Sequence, residues 1–399
     1  MTVTITPGVP RGTVSAPPSK SCGHRMLLCA ALARGTSHIR GISRSQDMAA
    51  TLDCIRAMGG RAQLESGTAL ITGTGGHASA DAVYPCRESG STLRFCIPPA
   101  LVPGGQAVFT GTPRLLERGI GIYEEVLPPA GIRIEKNMGG IALQGSLQPG
   151  SYTLRGDVSS QFVSGLLLAL PLLGGDSTLR VLPPVESRPY IDITLDVLSS
   201  FGVSVLEREE NLFFIPGGQH YAARDAAVEG DWSNAAFLFA LGSGVQVTGL
   251  REDSLQGDRV CRRMLRQLES PGAQLDLSPC PDLGPILFAA AARGHGAVFT
   301  GTRRLRIKES DRVAAMAREL AKFGVGVEAE ENRVAIHPGG ITAPRETLDG
   351  HNDHRIVMAL SVLAASVGGT ISGAEAVSKS YPDFFEVLQS LGIIVTSQP

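Results

Sequence analysis

Between Asp311 and Phe323 the apolar positions Val313, Met316, Ala317, Leu320 and Phe323 recur at intervals of three and four, with Arg318, Glu319 and Lys322 between them. That period predicts an amphipathic helix with one face turned to a core. Ile191–Leu198 and Phe384–Leu391 repeat the pattern. A second set of segments behaves differently: Met26–Ala33, Thr92–Leu101, Phe162–Leu173, Ala235–Leu241, Ile286–Ala292 and Ile356–Ala365 are rich in small and apolar residues. Helices of that kind are too apolar for a surface and are predicted to be buried. Short runs bearing Val, Ile and Thr predict strands between them.

These elements recur as a unit. AVFTGT stands at 107–112 and again at 297–302. Around it, six copies read as a β-type run, a charged loop, an amphipathic helix, a small-residue turn and a second apolar run. They are Gly35–Leu64, Gln106–Glu135, Ser177–Leu206, Gly244–Leu275, Gly296–Glu328 and Gly369–Val395. Their spacing is about seventy residues, shortened to about fifty between the fourth and fifth, and self-similarity at a fixed period decides architecture before any single motif does. One buried helix precedes each copy, so the expected fold is α/β with two three-repeat lobes and inner helices running roughly parallel. Three copies fall before about residue 228 and three after. The strand-like segment at 2–6 is expected to complete the later lobe, so that the chain crosses twice. The expected division is 1–14 with 228–399 as lobe one and 15–227 as lobe two, with the substrate cleft between them. Pro98-Pro99, Pro171, Leu127-Pro128-Pro129 and Ser270-Pro271-Gly272 predict kinks or early helix ends.

Polar residues gather where the buried helices begin: Lys20-Ser21, Ser89-Gly90-Ser91, Ser159-Ser160-Gln161, Asp231 with Ser233, Asp282, and Asp353-His354-Arg355. Exposed N–H groups and the dipole at a helix start favour anions. Composition narrows the reading. At 399 residues the chain exceeds one ordinary core, and its 48 glycines imply many tight turns or close approaches. A formal net charge of −2 gives no reason to expect a nucleic-acid partner. The seven cysteines are scattered without a CxxC pair and read as reduced thiols of a cytoplasmic protein, not as a disulfide framework or zinc site. No apolar run reaches spanning length, and the first residues lack a charged-then-apolar leader pattern.

Lys20, Ser21 and Arg25 place an ammonium, a hydroxyl and a guanidinium at one helix start, a set that can grip phosphate or carboxylate. Gly90 lets an anion approach backbone between capping hydroxyls, and Arg114 and Arg118 lie in the loop after a strand. Capping accounts for one hydroxyl among Asp157, Ser159, Ser160 and Gln161, but not for all four groups. Ser187 and Tyr190 occupy the equivalent loop of the third copy. Arg306 to Arg312 is the densest charge cluster, holding Lys308 and Glu309, and Arg355 and Lys379 lie in the last copy. Taken singly, each is as well explained by a solvated or capped helix start. Together they give several cations and two candidate carboxylates, Asp282 and Glu309, with no Cys/His set at metal-ligand spacing and no GxGxxG or GxxxxGK[ST] segment. The inventory fits a site for small, highly anionic substrates, with no cofactor or metal expected.

PSKSxxxR, SGSTLR, TGTPRLLER, GDVSSQFVSGLLLALP, SRPYIDIT, GDWSNAAF, IKESDR, NDHRIVMAL and KSYPDFF, in this order, resemble the 5-enolpyruvylshikimate-3-phosphate synthase family nearly end to end. The resemblance implies a two-lobed inside-out α/β barrel of six βαβαββ-type repeats. It also implies transfer of the enolpyruvyl group of phosphoenolpyruvate to the 5-hydroxyl of shikimate-3-phosphate, through a tetrahedral intermediate, with release of phosphate. By the same resemblance, Lys20, Gly90, Arg114, Gln161, Arg312, Arg355 and Lys379 bind phosphoenolpyruvate. Ser21, Arg25, Ser159, Ser160, Gln161, Ser187, Tyr190, Asp282 and Lys308 hold shikimate-3-phosphate. Asp282 is the implied base at the 5-hydroxyl, Glu309 the proton donor to the methylene carbon, and Lys20 an aid at the leaving phosphate. A cytoplasmic monomer with two small-molecule partners, no nucleic acid and no membrane is expected. One departure stands out: Glu88-Ser89-Gly90 replaces the Asn-Ala-Gly of many members. The sister family that acts on a UDP-sugar typically carries Lys-Asn and a loop cysteine, whereas here Ser21 follows Lys20 and no cysteine lies in 112–121. A non-catalytic anion-binding repeat protein is the other alternative, and it would have no use for two carboxylates among the cations.

Overall fold

Repetition in the sequence reappears in the sheets of the computed structural model, which describes residues 1–398. Five of the six sheets have four strands on one plan, a parallel pair extended by two antiparallel strands. The chain divides into two units, Lys20–Glu229 and Met1–Ser19 with Gly230–Pro399.

In the unit Lys20–Glu229 the helices are α1 (Lys20–Leu32), α2 (Gln46–Ala57), α3 (Gly90–Ala100), α4 (Pro113–Arg118), α5 (Gly121–Val126), α6 (Ser160–Ala169) and α7 (Arg188–Ser200). Its first sheet joins Ala226–Ala227, Thr36–Arg40, Thr68–Thr72 and Arg61–Glu65. The second joins Ala82–Pro85, Gln106–Thr110, Gly140–Gln144 and Arg133–Asn137, and the third Ser151–Arg155, Ser177–Leu182, Leu212–Ile215 and Leu206–Glu209. Helices α1, α3 and α6 are buried almost throughout, as their all-round apolarity predicts. α3 packs on α6 so tightly that a Cβ at Gly165 would lie 2.4 Å from Arg94 O and 2.1 Å from the Tyr123 hydroxyl.

The helices ahead of Pro128 and Pro271 end early, at Val126 and Gln267, as expected, but Pro98-Pro99 is less disruptive. α3 runs through Pro98 and Pro99 to Ala100. Pro98 has no N–H for the carbonyl four residues back. That carbonyl, Arg94 O, instead accepts from the Tyr123 hydroxyl at 2.8 Å, so no buried acceptor is stranded. Pro171 does end its helix: α6 stops at Ala169 and a 3₁₀ turn covers Leu170–Leu172. Arg114 and Arg118, read as loop residues, lie in the short helix α4. Thr112 caps it, Pro113 opens it, and Gly119 at φ 63° closes it.

In the other unit the helices are α8 (Trp232–Phe239), α9 (Cys261–Gln267), α10 (Gly284–Arg293), α11 (Arg312–Lys322), α12 (His354–Val367) and α13 (Phe384–Ser390). The fourth repeat is cut down to two parallel strands, Val245–Thr248 beside Gly12–Ser15, which accounts for its shorter spacing. The fifth keeps the full plan with Gln274–Asp276, Ala297–Thr300, Arg333–Ile336 and Val327–Ala329. In the sixth, Thr2–Ile5 takes the inner hairpin position between Gly369–Ser372 and Val395–Gln398, with Leu348–Asp349 at the edge. All of α12 except Ser366 and Val367 is buried. α11 buries Val313, Met316 and Leu320 as its period predicts, but also Glu319. That carboxylate accepts from Asp349 N at 3.0 Å, His351 Nε2 at 2.9 Å and Lys322 Nζ at 2.8 Å, so its burial is compensated. Among the described residues no helix is long and apolar enough to cross a membrane, and no disulfide links the seven cysteines.

Candidate active site

In the discontinuous unit, the fifth and sixth repeats contribute to one largely buried charge cluster. Asp282 sits in the 3₁₀ turn Pro281–Leu283 ahead of α10, Lys308 and Glu309 just before α11, and Arg355 at the second position of α12. Asp282 Oδ1 accepts from Lys308 Nζ at 3.1 Å and Arg312 Nη1 at 3.0 Å, while its Oδ2 accepts from Arg355 Nη2 at 3.1 Å. Arg312 also donates to Glu309 Oε2 at 2.7 Å and to Asp353 Oδ2 at 2.8 Å. Lys379 Nζ donates to Asn352 O at 2.6 Å, one residue before that aspartate. Sequence separations of 26, 30 and 73 residues are thereby closed to hydrogen-bond distance around one carboxylate.

The titration of these groups follows from the contacts. Burial alone would raise the pKa of Asp282, but Arg355, Lys308 and Arg312 outweigh it and hold the group well below the usual carboxylate range. For Lys308 burial prevails: it pulls the ammonium down to about 8, although Asp282 opposes that shift. For Arg312 burial is again outweighed, by Asp353, Glu309 and Asp282, and its pKa rises. Asp353, under the opposing influences of burial and the Arg312 guanidinium, stays lowered. The cluster therefore holds fixed positive charge, one lysine poised near neutrality, and carboxylates that occupy the cations.

The unit Lys20–Glu229 presents a more hydroxyl-rich set at the starts of its buried helices. Lys20 opens α1 and pairs with Asp47 Oδ2 at 2.7 Å. Gly90 opens α3 behind its cap Ser89, and a Cβ there would come within 3.1 Å of Arg118 Nη2. Ser159 caps α6 and Ser160 opens it. Gln161 accepts from Arg94 Nη1 at 2.6 Å and donates to Ser91 Oγ at 2.9 Å, tying the start of α6 to that of α3. Ser187 is buried at φ 59° ahead of α7, and Tyr190 lies in the first turn of that helix. Arg114 is exposed on α4, 3.6 Å from Glu117.

Arg25 is the least exposed cation of this unit, at 2 %, and its donors point into the protein. Nε donates to Thr194 Oγ1 at 2.7 Å, Nη1 to Ser21 O at 2.7 Å, and Nη2 to Ser164 Oγ at 3.1 Å and Tyr190 O at 2.9 Å. It thus locks α1 to α6 and α7 and fixes the backbone of Ser21 and Tyr190.

Residues 6–388 match the family described as EPSP synthase (3-phosphoshikimate 1-carboxyvinyltransferase). The chain belongs to this family. A 3-phosphoshikimate 1-carboxyvinyltransferase of Clostridium kluyveri is 40% identical, with 98% of this chain and 97% of that protein covered. One from Clostridium perfringens is 36% identical, with 99% of each covered. A solved EPSP synthase from Acinetobacter baumannii superposes with a TM-score of 0.81 at 26% identity, over 99% of this chain and 100% of that one.

Within this EPSP synthase family member, several partners that hold the site's cations escape the sequence pattern in whole or in part. Asp353 reads as an N-cap, and it does accept from Arg355 N at 2.9 Å, but its charge also holds Arg312. The only advance signal was its place beside Arg355. Asp47 and Thr194 lie 27 and 169 residues from the cations they hold, and nothing local marks them. Arg94, the last residue of SGSTLR, meets Gln161 across 67 residues of chain, a pairing that no local pattern shows.

Proposed function

We propose that the chain acts as a cytoplasmic monomer in which Asp282, Glu309 and Lys20 carry the proton transfers of enolpyruvyl transfer. The reaction is that of its family: the enolpyruvyl group of phosphoenolpyruvate passes to the 5-hydroxyl of shikimate-3-phosphate, and phosphate is released. The observation that carries the assignment of roles is Asp282 under three cations. An aspartate so held is a weak base while the site is empty. Anionic substrates compete for Lys308, Arg312 and Arg355, and as those cations turn to phosphate and carboxylate, the pKa of Asp282 rises towards that of a working base.

In the addition step the 5-hydroxyl oxygen bonds to C2 of phosphoenolpyruvate, its proton goes to Asp282, and Glu309 protonates C3. The product is a tetrahedral intermediate. In the elimination step the C2–O bond to phosphate breaks, Glu309 recovers a proton from C3 and the double bond reforms; the phosphate departs with the help of Lys20 and takes up the proton that Asp282 removed, so both carboxylates return to their starting state. Arg312, Arg355 and Lys379, with Lys20, Gly90, Arg114 and Gln161, bind phosphoenolpyruvate. Ser21, Ser159, Ser160, Gln161, Ser187, Tyr190 and Lys308 hold shikimate-3-phosphate. Arg25 joins them chiefly through the Ser21 and Tyr190 backbone it fixes. Cysteines without disulfides and a net charge of −2 support the compartment and the lack of a nucleic-acid partner.

The test is phosphate release from phosphoenolpyruvate, with and without shikimate-3-phosphate, for the wild type and for Asp282→Asn. Release that needs both substrates and falls by two or more orders of magnitude in the variant supports the reading. Release that needs a UDP-amino sugar instead would move the chain to the sister activity, and a variant with full turnover would remove Asp282 from the chemistry.

A further inference from the structure

The fourth repeat lacks a hairpin, and the chain that follows its strand Val245–Thr248 packs against the start of α8 instead. Gln256 makes the attachment. Its Oε1 accepts from Trp232 N at 3.0 Å and its Nε2 donates to Gly230 O at 2.8 Å, while Trp232 Nε1 donates to Arg251 O at 3.1 Å. Docked this way, the 3₁₀ turn Gly257–Val260 delivers Asp258 to Ser233, the second residue of α8. Asp258, Ser233 and Arg355 are 2%, 6% and 4% exposed.

Arg355 Nη1 donates to Ser233 Oγ at 2.8 Å and to Asp282 O at 3.1 Å. A guanidinium can only donate, so Ser233 must receive Arg355 on a lone pair and turn its own proton elsewhere. It turns it to Asp258 Oδ1 at 3.2 Å. The result is a directed chain, Arg355 to Ser233 to Asp258, that ends on a buried carboxylate outside the cluster around Asp282.

We propose that Asp258 is a positioning residue for the reaction, holding the Arg355 guanidinium through Ser233 while Asp282 changes its protonation state. The inference rests on Arg355 binding phosphoenolpyruvate. The other anchor weakens during turnover: the Asp282 carboxylate loosens its hold on Arg355 as the ligand's anions arrive, and is neutralised when it takes the 5-hydroxyl proton, at the moment the ligand must stay in place. The chain through Ser233 does not pass through that proton. An arginine at a helix start, facing the positive end of the dipole, has particular need of a second anchor.

The test compares Ser233→Ala, Asp258→Ala, Asp258→Asn, the Ser233→Ala/Asp258→Ala double variant and Arg355→Lys in steady-state kinetics, with thermal melting of each. Loss of one charge-assisted hydrogen bond predicts a rise of roughly tenfold in KM for phosphoenolpyruvate in each alanine variant. KM for shikimate-3-phosphate is expected to stay within about twofold, and the double variant to be no worse than the poorer single one. Asp258→Asn keeps an acceptor for Ser233 and is expected to recover most of the loss. Multiplying effects in the double variant, equal rises in both KM values, or no change in KM would each overturn the inference. Arg355→Lys separates the two levels. If it raises KM for phosphoenolpyruvate while Ser233→Ala does not, the relay fails alone; if it has no effect, the site assignment fails and takes the relay with it.

Discussion

Lys308 offers the sharpest solution test, because burial brings its ammonium from 10.5 down to about 8, into the range where enzymes are assayed. The displacement amounts to about 3.5 kcal/mol between charged and neutral forms, at about 1.4 kcal/mol per pH unit. At pH 7 about nine-tenths of the lysine is charged, and at pH 9 about one-tenth. If the charged form is the one that takes shikimate-3-phosphate, the apparent Kd rises through pH 8 and is roughly tenfold weaker at pH 9 than at pH 7. The sign is fixed: the bound phosphate favours the ammonium, so the free protein must take up a proton on binding above pH 8 and none well below it. Titration calorimetry from pH 6.5 to 9.5, in pairs of buffers differing in ionisation enthalpy, reads both the Kd and the proton count. Lys308→Arg keeps its charge over the whole range and is expected to flatten the dependence. Equal slopes in wild type and variant would refute the reasoning, as would binding at pH 9 without proton uptake.

Three further outcomes follow from the surroundings of Glu309, Gly165 and Glu319. Glu309→Gln keeps the shape that pairs with Arg312 at 2.7 Å but cannot cycle a proton, so kcat is expected to fall by about 10²-fold or more while KM values move only a few-fold; equal losses in both would count against a proton-transfer role. Gly165→Ala drives a Cβ into Arg94 O and the Tyr123 hydroxyl and should destabilise the protein by about 2–4 kcal/mol in urea unfolding, whereas an unchanged midpoint would mean the α3–α6 contact relaxes freely. For Glu319, hydrogen bonds from His351 and Lys322 outweigh the burial that would raise its pKa, and the folded value is lowered. Its stabilising effect is complete above the unfolded pKa of 4.5 and is lost as pH falls through the folded one. Glu319→Gln is therefore expected to lose less melting temperature than wild type between pH 6 and pH 3.

Local pattern carried much of this molecule. The three-and-four spacing from Val313 to Phe323 sets the helix Arg312–Lys322, since an apolar stripe has to meet a core whatever that core contains. The same spacing could not tell that Glu319, read as a polar-face residue, would be buried, because its partners Asp349 and His351 come from the turn 30 and 32 residues on. Pro98 and Pro99 looked like a break, but α3 continues through them because Tyr123, on another helix, satisfies the released carbonyl.

The candidate site divides along the same line. Residue types were legible, since hydroxyls, cations and carboxylates stand at the starts of buried helices, where the dipole and free N–H groups favour anions. Partners were not. Asp282 meets Lys308, Arg312 and Arg355, and Arg355 leans on Ser233, only because separate repeats fold their helix starts to one place.

By itself, the sequence determined the repeat, the two kinds of helix and the chemistry available at their ends, because periodicity and composition act within a few residues of chain. Tertiary structure decided which strands share a sheet, as when Thr2–Ile5 pairs with both Gly369–Ser372 and Val395–Gln398, and which charges share a site. Those contacts join residues tens to hundreds of positions apart. Their energies, and the pKa values they set, depend on distance and burial in space, which no local stretch of sequence encodes.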